Sequence, residues 1–356
     1  MRIYLGNRGP GETFIRRLRL DPAAGRLAAE GEPTPAANPS FIALHPSGRF
    51  LYAVDETGMS RTDPGGAVAA LAVDPETGAL RPLNRQPSGG ASPLHLAFDA
   101  AGRHLFVSNY WGGSVAVLPI APDGTLGPAS ALVRHEGGAT APGRDPGPHA
   151  HSLQLDEAGR FAVVADLGRD ELLVYRFDPD RGTLARHEPG GVAMAPGAGP
   201  RHFVFHPDGR HGYVVNELDS TVTLLAYEPA TGRLTAQQTL TTLPAGVAGS
   251  NAAAEIAVSP DGRFLYASNR GHDSLAIYAI APGSRTLAPV GHQPTFGRTP
   301  RHFAIDPSGR HLVVANQDSD SVVLFAIDRE SGRLAALGSP LTVSRPFCVV
   351  LAQGID

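Results

Sequence analysis

The chain has one cysteine, one tryptophan and no lysine in its 356 residues. A lone Cys348 excludes an intramolecular disulfide and any thiolate metal cage, and its setting in Pro346-Phe347-Cys348-Val349-Val350 predicts a buried strand residue. Without lysine, all 30 cationic side chains are arginine, so any anion must be held by guanidinium forks. A net charge of −4 and a pI near 6.4 give no general attraction to nucleic acid or to an anionic membrane. No run approaches the ~20 uninterrupted apolar residues of a membrane span, and residues 1–7 lack the charged-then-apolar order of a signal peptide. The expectation is a cytoplasmic protein with neither nucleic-acid nor membrane partners. A glycine-rich phosphate loop, a serine elbow and a cysteine–histidine pair are also missing, which disfavours nucleotide-dependent and covalent acyl-enzyme chemistry and predicts no cofactor.

Glycine and proline, by contrast, are plentiful, at 42 and 32 residues, and their placement is regular. A Gly-Arg pair begins at 48, 102, 159, 209, 262 and 309, at intervals of 54, 57, 50, 53 and 47 residues, a spacing that marks propellers or solenoids. Each pair follows an apolar run such as HFVFHPDG or EIAVSPDG, a strand entering a tight turn. A second strand leaves it (FLYAVDE, HLFVSNY, HGYVVNE, FLYASNR), a third alternates (SVAVLPI, TVTLLAY, SLAIYAI), and a weaker fourth begins at leucine. Four strands per repeat without helical periodicity predict the blades of an all-β propeller. Six units fill residues 39 to about 340. The ends supply a seventh, with 1–7, 14–20 and 27–32 as its last three strands and 345–351 as its first, so residues 1–356 form one seven-bladed domain whose ring closes between its termini. The tryptophan-aspartate signature of interaction propellers is absent, since Trp111 ends no blade.

In such a blade the start of the first strand and the end of the second share one rim, while the first-to-second turns lie on the other. The repeated arginines (Arg49, Arg103, Arg160, Arg210, Arg263, Arg310), with His45 and His206, therefore read as structural turn residues. At the first rim the blades stop repeating. Arg201, Arg270, Arg301 and Arg345 come from adjacent blades and suit the oxygens of a carboxylate or phosphate, unless each pairs with a neighbouring acid. His149 and His151, in Pro148-His149-Ala150-His151-Ser152, are expected on one face, as a water-activating base, as substrate donors or as packed channel residues. No spacing motif adds a third ligand, so no metal is predicted. Glu217 stands among arginines as their counter-ion or as an acid or base that they tune. Asn109, Tyr110, Gln317 and His302 complete the predicted rim, with Arg144 on a loop that could fold over a ligand. The implied partner is an anionic small molecule.

These residues resemble those of the lactonase family of seven-bladed propellers, over the whole chain. The resemblance rests on the strand ends LYAVDE, LFVSNY, YVVNE, LYASNRG and LVVANQ and on PHAHS (148–152), GPRH (199–202), NE (216–217), SNRG (268–271) and PRHF (300–303). It implies hydrolysis of a sugar-acid lactone, 6-phosphogluconolactone first, without a cofactor. The family's carboxymuconate cyclase branch has a His, an Arg, a Glu and a second Arg at the mouth; in order they match His149, Arg201, Glu217 and Arg270, which are the catalytic residues the resemblance implies. The substrate-binding set is then His151, Arg301, His302, Arg144, Asn109, Tyr110, Gln317 and Arg345. A cyclase or lyase acting on a diacid, or a non-catalytic metabolite- or protein-binding propeller, are the alternatives.

Overall fold

A computed structural model describes residues 1–352, apart from 59, 61, 64, 139–145, 189–190 and 248. Arg144 therefore lies outside the described residues. The described chain forms seven antiparallel sheets in a ring, each in up-and-down strand order. No α-helix occurs among the described residues; a single 3-10 turn spans Gln317–Ser319. The closing sheet takes Arg2–Asn7, Phe14–Asp21 and Arg26–Ala29 from the start of the chain and Pro346–Leu351 from its end. Residues 3–7 pair with that last strand, as the sequence predicts.

The sequence pattern explains the layering. Second strands such as Phe50–Asp55 and Phe161–Asp166 are buried along their whole length, because a middle strand faces a neighbouring blade on both sides. Outer strands such as Arg233–Thr241 are mostly exposed and polar. The apolar clusters run between blades: Tyr4 and Cys348 of the closing blade pack with Ile42, Leu51 and Leu71 of the next. Removing such faces from water stabilises the ring by ~25 cal/mol per Å² of apolar surface.

A repeated tyrosine adds direction to this packing. Tyr4, Tyr52, Tyr213 and Tyr266, three residues before the Asn7, Asp55, Asn216 and Asn269 of their second strands, donate their hydroxyls to the carbonyls of Gly78, Gly124, Arg285 and Gly332, each in the following blade, at 2.8 to 2.9 Å. Burial raises the pKa of all four phenols, so they stay protonated donors. Among the described residues, three of the six repeated arginines of the opposite rim make contacts that serve the fold. Arg49, Arg160 and Arg263 lie over the rings of Phe50, Phe161 and Phe264, and Arg160 and Arg263 also reach carbonyls of the next blade.

Candidate functional site

The channel mouth is built by a defect repeated around the ring. In six of the seven described blades the first strand slips register against the second near its start. Such a bulge leaves one residue unpaired and re-aims its side chain. In the closing blade and the blades beginning at Pro93, Ala150, Pro200 and Pro300, the residue skipped is Phe347, Leu94, His151, Arg201 and Arg301. The next residue inward is Cys348, His95, Ser152, His202 and His302, and the blade of Ala252–Val258 contributes Glu255. The residues that follow the asparagine or aspartate near the end of each second strand form the outermost tier: Arg8, Glu56, Tyr110, Leu167, Glu217, Arg270 and Gln317.

Glu217 is the centre of the cationic side. Its carboxylate lies 3.0 Å from Arg201 Nε and 2.9 Å from an Arg270 terminal nitrogen. Burial alone would raise the Glu217 pKa, but Arg270, Arg201 and Arg301 outweigh it and the net shift is downward. Glu217 is thus held as an anion. Arg201 is 3% exposed and also donates to the carbonyl of Ala254 at 2.6 Å. Arg301 lies 4.6 Å from the centre of the Phe347 ring, and among the described residues no carboxylate comes within ion-pair distance of it. Burial, followed by repulsion from the other arginines, depresses Arg201 to about 10 and Arg301 to about 9, so both remain cationic at neutral pH. Three guanidinium groups thus gather around Glu217, with Glu255 acting on Arg201 and Glu56 on Arg301.

His149 and His151 are brought to the mouth but do not share one simple face, because the bulge between Ala150 and Ser152 breaks the alternation. His149 stacks flat on Tyr110 at 4.5 Å and 16°, while His151 meets the same ring edge-on at 80°. The His149 backbone is pinned by Asp166, which accepts its N–H at 2.8 Å and pairs with buried His135 through its other oxygen. His151 is 4% exposed, and among the described residues its Nδ1 has no hydrogen-bond partner. Burial and then Arg201 keep the His151 pKa far down, so the ring is neutral.

Three expected substrate contacts are spent elsewhere. Asn109 is fully buried, and its Nδ2 donates to Ser88 O and Ser114 Oγ, both at 3.1 Å. Asn216, Asn269 and Asn316 reach a Ser or Thr five residues on in the same way, so this asparagine belongs to the blade hairpin. Arg345 does not join the other arginines. It takes the place of Gly199 and Thr299 before a strand-opening proline, with φ 40°, and Phe347 occupies the position corresponding to Arg301. Its guanidinium turns to Arg8 O at 3.1 Å and Asp318 at 3.9 Å, on an outer basin of about 440 Å³ that also includes Arg8, Glu56 and Phe347. Gln317 donates to Asp318 at 2.8 Å.

With this geometry in place, the comparisons decide the family. The chain matches the family described as lactonase, 7-bladed beta-propeller, over residues 2–351. It belongs to that family. It is 36% identical over 307 residues to a Bacillus subtilis protein named 6-phosphogluconolactonase, covering 85% of each chain. A Formosa agariphila protein of the same name is 35% identical over 297 residues, covering 83% of this chain and 82% of the relative. The solved structure of the Pseudomonas aeruginosa periplasmic gluconolactonase superposes with a TM-score of 0.91 at 34% identity, covering 99% of both chains.

One residue of this lactonase mouth escapes a reading by motif. Glu255 is 7% exposed, and its carboxylate lies 3.1 Å from His202 Nδ1 and 3.0 Å from His302 Nε2. Its signal was a single charge inside the apolar run Ala252–Val258, at the place where other blades carry His95, His202 and His302. Among the described residues no group of three or more His, Cys, Asp or Glu side chains is disposed to hold a metal ion. Nor is any described helix long and apolar enough to cross a membrane.

Proposed function

We propose that the chain hydrolyses 6-phosphogluconolactone to 6-phosphogluconate at this mouth. The observation that carries the reading is the Arg201–Glu217–Arg270 clamp beside an Arg301 that has no ion-pair partner among the described residues, a fixed cluster of guanidinium groups in a chain with lactonase relatives. Glu217 sets the two guanidinium planes. Arg201, Arg270 and Arg301 then take the carbonyl oxygen as its charge develops, a role worth about 3 kcal/mol per well-placed donor. Glu217 is a poor proton acceptor, because the same arginines stabilise its anion. The acceptor is therefore an imidazole. Tyr110 and His149 form one wall for the sugar ring, His151 offers a hydrogen-bond partner, and Arg8 and Arg345 edge the outer basin, where a distal phosphate would lie. A sugar phosphate does not cross a membrane unaided, so the same reading places the chain in the cytoplasm.

The test is acid release from freshly made 6-phosphogluconolactone at constant pH, against the spontaneous rate, with unphosphorylated gluconolactone and a carboxylated muconate alongside. Acceleration selective for the phosphorylated lactone supports the proposal. Equal rates with gluconolactone would remove the phosphate from it, and turnover of the diacid alone would favour the cyclase reading.

A further inference from the structure

We infer that His202, oriented by Glu255, is the proton acceptor that activates water in this site, in place of His149. The inference rests on the lactone reading and names its missing base.

Beneath the outer tier lies a partly open cavity with about 10 Å³ of space for the centre of a water molecule, the size of one such site. His151, Arg201, His202, Arg301 and His302 line it with Glu56, Phe347 and three further residues. Glu56 and Phe347 also line the outer basin, so a lactone seated there has this cavity at its inner edge. His149 is not among the residues that line the cavity.

His202 is 5% exposed. Both Glu255 oxygens lie 3.1 Å from its Nδ1, which assigns the ring proton to that nitrogen and leaves Nε2 as the bare acceptor. Glu255 cannot easily turn away. It accepts the N–H of Ile256 at 3.0 Å, and His302 Nε2 holds its other oxygen at 3.0 Å. His302 is itself oriented, with its Nδ1 3.4 Å from the N–H of Val349. A base held by a carboxylate that fixes its tautomer and steadies its cation is the working unit of many hydrolytic sites.

The charged and titratable groups around His202 are Glu255, His302, His95, His151, Arg201 and Arg301, with Glu217 and Arg270 acting on it from further out. Burial first, then Arg201 and Arg301, hold the His202 pKa well down, so the resting ring is neutral; the Glu255 carboxylate at its Nδ1 is what steadies the cation formed when Nε2 takes a proton. Burial raises the Glu255 pKa, which makes its carboxylate a stronger acceptor for the imidazolium beside it. In the step, water gives one proton to His202 Nε2 while its oxygen bonds to the lactone carbonyl carbon. The tetrahedral oxyanion faces the arginines. The bond from that carbon to the ring oxygen then breaks, and the ring oxygen takes the proton back from His202, so lactone plus water becomes the open hydroxy acid.

The experiment compares His202→Gln, Glu255→Gln, Glu255→Asp and His149→Ala by steady-state kinetics, with melting temperature as the check on folding. It also follows the histidine nitrogens by NMR in the unaltered protein and in Glu255→Gln. His202→Gln should lose at least about 100-fold in kcat with little change in KM, the usual contribution of a general base. Glu255→Gln should lose less and shift the acid limb of kcat/KM, Glu255→Asp should recover part of the loss, and His149→Ala, which removes part of the wall for the sugar ring, should raise KM while lowering kcat less than His202→Gln does. NMR should show His202 with its proton on Nδ1, and that preference should weaken in Glu255→Gln. A folded His202→Gln protein that keeps its rate, or a His202 ring protonated on Nε2, would overturn the assignment. If the unaltered protein turns over no lactone, the functional reading itself falls, a result distinct from an active protein that ignores His202.

Discussion

Glu217 Oε2 lies 3.0 Å from the Nε of Arg201, a guanidinium whose side chain is only 4% exposed. Replacing the carboxylate with an amide leaves that cation without its counter-charge. Glu217→Gln should lower kcat/KM by about 100-fold, as the clamp loses its geometry. It should also destabilise the fold by roughly 3 kcal/mol at neutral pH, the usual result of removing one partner from a buried pair. Because the folded pKa of Glu217 lies below its unfolded value, the unfolded chain binds the extra proton, and the contribution is complete above that value, near 4.5. It is lost as pH falls toward the folded pKa. Urea midpoints at pH 7 and pH 4 should therefore differ less in Glu217→Gln than in the unaltered protein.

Arg301 is repelled by Arg270 and Arg201, Glu56 and Glu217 offset only part of that repulsion, and among the described residues no carboxylate is within ion-pair distance of it. An anion relieves that repulsion. Inorganic phosphate or 6-phosphogluconate should raise the melting temperature of the unaltered protein, by an amount equivalent to about 2.7 kcal/mol at a concentration one hundred times Kd. Arg301→Gln should leave the free protein as stable as before or more so, and the anion should no longer raise its melting temperature. Equal ligand responses in both proteins would remove Arg301 from the anion site.

Asn109→Ala tests whether the asparagine belongs to the hairpin or to the substrate. Loss of its bonds to Ser88 and Ser114 should cost about 1–3 kcal/mol by denaturant titration. KM should stay within about twofold, because the side chain is buried away from any ligand.

Cys348 is buried and its thiol pKa is pushed up, chiefly by desolvation. A thiol-reactive disulfide reagent should leave the native protein unlabelled at neutral pH and modify one thiol per chain in denaturant. Rapid labelling without denaturant would mean that the closing strand opens.

The blades were legible because the repeat writes each strand and turn several times over, so an ambiguous segment could be read against its siblings. The closure between Arg2–Asn7 and Pro346–Leu351 followed by counting. The mouth was harder, because its chemistry depends on a one-residue slip that motif spacing does not reveal. Counting from strand starts put Arg345 with Arg301, whereas the bulge puts Phe347 there. The same slip divides His149 from His151. Asn109 looked like a rim residue because it ends a strand, yet three sibling asparagines show its hairpin role. Glu255 was visible as a charge in an apolar run, but its meaning comes from two histidines contributed by flanking blades.

The blade assembled from both ends of the chain also fixes the order of events during synthesis. Until the ribosome has released residues 346–351, the first strand has no partner on its inner side and the ring stays open, with two unsatisfied edges waiting to meet. Six blades can form as they emerge, but the last depends on a contact between residues more than three hundred positions apart. A circular permutant cut in the turn after Ile327 and joined through a short linker between the old termini would move that seam to the outermost strand of a different blade. It should reach the same native ring with an unchanged mouth, while refolding faster and leaving less aggregate behind.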